Sequence, residues 1–166
     1  MPSYRTAMQL RVVGVGRVRE SFLNDGIQEY RVRISPYFHV ELADVREGRH
    51  PRDPSPATRA GVLKEEGERL LSAARGSGVL VLLDIRGESW SSEDLAARLS
   101  SWVLEGHSTV SFLIGGPFGV SEEVKNEATH VLSLSRMTYP HQMVRLILLE
   151  QLYRAARIHR GDPYHK

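Results

Sequence analysis

Apolar positions along the chain follow two rhythms, one of period two and one near 3.6, and the rhythms alternate. Met8 to Gly16 (MQLRVVGVG) is rich in β-branched residues and closes on glycine, which predicts an opening strand. Phe22, Leu23, Ile27, Tyr30 and Ile34 recur at helical spacing and predict a helix over 21–33, weakened at Gly26 by about 1 kcal/mol. Phe38 to Val45 alternates apolar and polar positions as a second strand. Arg46 to Gly61 has no period and holds Pro51, Pro54 and Pro56 among four arginines, so it reads as a long loop.

Leu63 to Ala74 is amphipathic and ends at Gly76 and Gly78. Val79 to Ile85 (VLVLLDI) is then almost continuously apolar, as a strand covered on both faces of a parallel sheet must be. Ser91, with Asp94 three residues on, has the form of a capping box for a helix running to about Leu104. Ser108 to Ile114 reads as another buried strand, leading at once into Gly115-Gly116-Pro117-Phe118-Gly119. Ser121 caps a short acidic helix over Glu122 to Ala128, and Val131 to Leu134 returns as a strand. A long helix after Pro140 sets Val144, Leu148, Leu152 and Ala155 on one stripe. Strands alternating with helices predict an α/β fold with a largely parallel sheet.

Composition narrows the class. The 166 residues fit one domain, and 41% hydrophobic with 25% charged residues is ordinary for a globular chain. Cysteine is absent, which excludes disulfides, thiol nucleophiles and thiolate metal sites, and makes a reducing cytoplasm the expected compartment. No stretch has the form of a signal peptide or approaches the roughly 20 apolar residues of a membrane span. None of the seven histidines has zinc-ligand spacing, so no metal is expected. The net charge of +2 conceals segregation: residues 1–60 carry +3, residues 61–130 carry −5 and residues 131–166 carry +4. A basic C-terminal segment containing Tyr139, Tyr153 and Tyr164 has the composition of phosphate and base contacts, and equally that of a solvated helix face.

Ligands of parallel α/β sheets sit beyond the carboxyl ends of the strands, so the turns there are the candidate chemistry. Gly14-Val15-Gly16 lacks the third glycine of a dinucleotide fingerprint, Arg19 standing in its place, and reads as a tight turn. Asp84, in Leu83-Asp84-Ile85-Arg86-Gly87, either caps that turn or accepts hydrogen bonds from a ligand. The glycines of Gly115 to Gly119 permit close backbone approach, and the absence of a Lys-Ser or Lys-Thr pair excludes a nucleoside-triphosphate loop. Leu134 to His141 is short, polar and aromatic, and leads into the last helix.

These segments, with Met137-Thr138-Tyr139-Pro140-His141-Gln142-Met143-Val144-Arg145, Glu150-Gln151-Leu152-Tyr153-Arg154-Ala155 and Pro163-Tyr164-His165-Lys166, resemble in order and spacing the ribosomal RNA large subunit methyltransferase H family. The likeness runs from about Met8 to the C-terminus. It implies a SPOUT-type α/β fold, with an open, largely parallel sheet flanked by helices and a C-terminal trefoil knot, an exception to the rule that chains avoid knots. It implies one domain over residues 1–166, with 1–7 a flexible extension and the knot and cofactor site within about 79–166. The implied activity is methylation of N3 of a pseudouridine in 23S ribosomal RNA on assembled ribosomes, by a cytoplasmic homodimer using S-adenosylmethionine.

Carried onto this chain, the resemblance assigns the cofactor to Leu83, Gly115, Leu134, Ser135, Arg136, Met137, Thr138 and Tyr139. It assigns the methyl acceptor to Arg154, Tyr164 and His165. N3 of pseudouridine is a weakly acidic imide, so its proton must leave; a histidine is suited to accept it and an arginine to stabilise the anion. The alternatives are the same fold acting on another RNA base, and a non-catalytic RNA-binding dimer. Glu88 stands where members of the family commonly carry lysine.

Overall fold

The computed structural model describes residues 8–165, so the proposed extension over 1–7 lies outside the described residues. Five strands form one sheet: β1 (Gln9–Val15), β2 (His39–Val45), β3 (Val79–Ser89), β4 (Thr109–Ile114) and β5 (His130–Ser133). They lie in the order β2-β1-β4-β3-β5, and every pairing is parallel. The helices are α1 (Ser21–Ile34), α2 (Pro56–Ala73), α3 (Ser92–Leu104), α4 (Glu122–Glu127) and α5 (His141–Arg160).

Alternation along the strands builds two cores. Val12, Val81 and Phe112 face one side with Ile27 of α1, Leu99 of α3 and Leu148, Leu149 and Leu152 of α5. Their neighbours Val13, Leu82 and Leu113 face the other side, with Leu70 of α2 and Val124 of α4. The central strand β4 is buried at every position, which explains its unbroken apolar run. α5 packs against both α1 and α3.

Local chemistry sets the helix ends. The capping box at Ser91 and Asp94 forms in full, with Asp94 N donating to Ser91 Oγ (3.0 Å) and Ser91 N to Asp94 Oδ2 (2.8 Å). Gly161 ends α5 at φ +70°, with Arg157, His159 and Arg160 in the last turn, where cations complement the helix dipole. Gly26 does not interrupt α1: a Cβ there would meet the Leu146 methyls at 3.0 Å, so the glycine lets α1 and α5 approach.

Two boundaries correct the sequence reading. The aperiodic segment ends at Ser55, not Gly61, because Ser55 is an N-cap whose side chain accepts from Thr58 N and Pro56 opens α2. β3 does not stop at Ile85. Leu132 of β5 pairs with Leu83 and, after the excursion of Asp84 to Gly87, with Glu88 as well. A Cβ on Gly87 would lie 2.6 Å from the carbonyl carbon and oxygen of Val131, so this stretch rests directly on the β5 backbone.

Candidate active site

The register of the sheet sets Leu132, Leu83, Ile114, Gly14 and Asp44 in one row across its carboxyl edge. Beyond the first three lies a cavity of about 390 Å³. Its floor is those strand ends, one wall is the glycine turn from Gly115 to Gly119, and the other is the chain from Ser133 to Val144. Both walls are held by their own hydrogen bonds. Gly119 N donates to Gly116 O at 3.0 Å, Gly119 adopts φ +86°, and a Cβ on Gly115 would fall 2.7 Å from Gly119 O. Opposite, Ser133 Oγ donates to Ser135 O (2.9 Å) and Met137 N to Ser135 Oγ (2.9 Å). Ile85 and Met137 line the cavity while remaining 50% and 74% exposed, an apolar lip at its mouth.

Of the residues assigned to the cofactor, Leu83, Gly115, Leu134, Ser135, Met137, Thr138 and Tyr139 all line this cavity. Arg136 does not; its side chain is exposed between two residues that do. Asp84 also lines it, and its Oδ1 accepts from Arg86 N at 2.8 Å, so it caps the turn as well as facing the cavity. Gly14 to Gly16 is a tight turn, with Gly16 at φ +78° and its N–H donating to Val45 O (2.8 Å).

Arg154, Tyr164 and His165 come together elsewhere. Arg154 pairs with Glu150 of the same helix (Nη2 to Oε1, 2.6 Å; Nε to Oε1, 3.0 Å), and Tyr164 OH donates to the same oxygen at 3.2 Å. The Arg154 guanidinium lies 4.9 Å from the centre of the Tyr164 ring. Its Nη1 lies 3.3 Å from His165 Nδ1, and His165 Nε2 lies 2.6 Å from Glu93 Oε1. Arginine only donates, so Nδ1 accepts and the ring proton on Nε2 points at Glu93. Burial, then contacts with Tyr30 and Glu150, push the Tyr164 phenol up to about 12, which makes it a donor at any working pH. The hydrogen bond to Glu150 raises the Arg154 guanidinium further above its ordinary range.

A sequence profile described as "Predicted SPOUT methyltransferase" matches residues 8–165. The chain belongs to the SPOUT methyltransferase family. Among its relatives, proteins named "Ribosomal RNA large subunit methyltransferase H" from Symbiobacterium thermophilum and Carboxydothermus hydrogenoformans are 49% and 46% identical, each across 96% of this chain and 100% of their own length. Solved structures with a similar fold include a "probable methylase family protein" from Haemophilus influenzae, with TM-score 0.60, 11% identity, and coverage of 97% of this chain and 72% of that one. A "probable methyltransferase" from Bordetella pertussis has TM-score 0.59, 14% identity, and coverage of 90% and 95%. At these identities the likeness establishes the fold alone.

Two residues of the segments that carry the resemblance, His141 and Arg145, received no role from the sequence of this SPOUT chain and stand out in the structure. His141 lines the cavity, and burial lowers its imidazole below the ordinary 6.5, keeping it neutral. Arg145 is buried: Nη1 pairs with Asp44, and Nη2 donates to Val15 O (3.1 Å) and Gly16 O (2.5 Å), tying α5 to the ends of β1 and β2. The available signal was position, since 141, 145, 148 and 152 share one helical stripe with the core leucines. Among the described residues there is no cluster of potential metal ligands, and no helix is long and apolar enough to cross a membrane.

Proposed function

We propose that this chain transfers the methyl group of S-adenosylmethionine to N3 of a pseudouridine in 23S ribosomal RNA, as a cytoplasmic homodimer acting on assembled ribosomes. The observation that carries the reading is the convergence on one cavity, beyond the carboxyl edge of a parallel sheet, of seven residues assigned to the cofactor from sequence alone. The full-length relatives and their names support the RNA substrate.

The residues present fit the cofactor. The apolar strand ends suit an adenine ring, and the turn that forms one wall keeps its tight shape because Gly115 has no Cβ to strike Gly119 O and Val120. S-adenosylmethionine supplies a methyl group on a positively charged sulfur. The chain must then bring N3 in line with that methyl and take its proton. We assign the proton to His165, the developing negative charge to Arg154, and a hydrogen bond to the substrate to Tyr164. For His165 to act, the substrate N3–H must take the place of Arg154 at Nδ1, the ring nitrogen that carries the lone pair.

Within one subunit these groups stand apart from the cavity. Val144 is the last residue of α5 that lines it, and Arg154 is ten residues on, about 15 Å along the axis. A second copy bringing its C-terminal cluster to this cavity resolves the separation, and the exposed Ile85 and Met137 at the mouth suit such a contact. The reading includes trefoil threading within about 79–166. Its support is the family resemblance, with the close approach of Gly87 to Val131 and the double register of Leu132 beside it.

Ribosomes from cells lacking the protein, incubated with it and S-adenosylmethionine, should gain one methyl on one pseudouridine by mass spectrometry. A methyl on another base would select the other enzymatic alternative, and calorimetry showing no cofactor binding would leave the non-catalytic RNA-binding dimer. In single turnovers, His165→Ala should slow transfer at least tenfold. An unchanged rate across pH would end the role of His165 as base.

A further inference from the structure

A second cavity, of about 300 Å³, opens at the ends of β1 and β2, where α1 passes over them. Ile27 and Leu42 lie at its base and Arg17 and Arg31 at its exposed rim. Among the described residues neither arginine has a side-chain hydrogen bond, ion pair or ring contact, unlike Arg33 on the same helix, which pairs with Glu29 at 2.8 Å. The one carboxylate in the groove, Asp44, is already paired with Arg145, so the groove carries uncompensated positive charge. The strand register places it beside the cofactor cavity: Asp44 and Ile114 flank Gly14, two strand spacings apart, or about 10 Å.

We propose that this groove holds a nucleotide flanking the modified one, an inference that rests on the RNA-methyltransferase reading. Arg17 and Arg31 clamp its phosphate, and the sugar and base lie over Leu42. The chemistry selects RNA from among anionic partners. Two unpaired guanidiniums on one rim offer donors to phosphate oxygens, the apolar floor suits a nucleobase, and the distance to the cofactor cavity is that of one or two nucleotides along a strand. Free phosphate would leave the apolar base uncovered.

The test compares the double variant Arg17→Gln/Arg31→Gln with Arg33→Gln, which lowers charge on α1 outside the groove. Binding to ribosomes and to deproteinised 23S ribosomal RNA is measured from low to moderate salt, separately from methylation, with cofactor affinity by calorimetry and oligomeric state by sedimentation. The double variant should bind RNA about tenfold more weakly, the scale of one charge-assisted phosphate contact, with a salt slope shallower by about 0.7. Cofactor affinity and oligomeric state should not move, and Arg33→Gln should resemble wild type. Equal behaviour of the double variant and Arg33→Gln would overturn the proposal, as would a weakened RNA affinity explained by a changed oligomeric state. RNA binding weakened as expected in a protein that methylates nothing would sustain the groove and refute the activity.

Discussion

Replacing Arg145 by alanine tests how the end of α5 is attached to the sheet. Its guanidinium is buried, packs flat on Gly14, pairs with Asp44 and donates to the Val15 and Gly16 carbonyls. Breaking a fully buried ion pair costs about 3–5 kcal/mol. Asp44 is 45% exposed and regains water when its partner is lost, so the pair itself contributes less here. The two carbonyls add about 1 kcal/mol each. The expected loss is therefore about 3 kcal/mol, survivable for a domain stable by 5–15 kcal/mol. With a urea dependence near 2 kcal/mol per molar, the midpoint should fall by about 1.5 M, compared at one protein concentration because association shifts stability. Arg145→Lys keeps the charge without the fork and should recover about half. A double-mutant cycle with Asp44→Ala should show coupling of about 1 kcal/mol or more. An Arg145→Ala midpoint within about 0.2 M of wild type would refute the account.

Gly115→Ala places a methyl 2.7 Å from Gly119 O and from Val120 Cγ1, so the turn must open; calorimetry should show cofactor affinity down at least tenfold in a protein that still folds. Glu66 is buried, with Oε1 accepting from Gly48 N (3.0 Å) and Oε2 unpartnered, and burial raises its carboxyl above the ordinary 4.5. A raised carboxyl means the folded state binds more protons between the unfolded and folded values, so wild-type stability falls as pH rises through that window. Glu66→Gln should lack this slope and match or exceed wild type at pH 7 in urea titrations; an identical slope in both proteins would contradict it. Tyr164→Phe should remove the tyrosine that ionises near pH 12 from the ultraviolet titration, with a slower single-turnover rate.

Legibility followed the range of the forces involved. The strands β3 and β4 and the box at Ser91 were readable because apolar runs and caps are local signals. The start of α2 was missed where three prolines masked an ordinary Ser55-Pro56 cap. The end of β3 was missed because its last residues take their register from β5, more than forty residues downstream. Arg145 resembled any solvated helix arginine until Asp44 and two carbonyls, each on a distant strand end, closed around it. Seven of the eight residues that the resemblance assigns to the cofactor line one cavity, Arg136 apart, because turns that follow neighbouring parallel strands open on the same edge of the sheet.

What the sequence determined by itself was therefore the set of elements, their parallel pairing as a class, and the loops on which chemistry sits. Tertiary structure alone decided which loops share a cavity, and that Arg154, Tyr164 and His165 do not share it within one subunit. The reason is physical: periodicity and capping act over a few residues, whereas strand order, the close approach of Gly87 to Val131 and the gathering of Arg17 and Arg31 around one groove are set by contacts that exist only once the sheet has assembled.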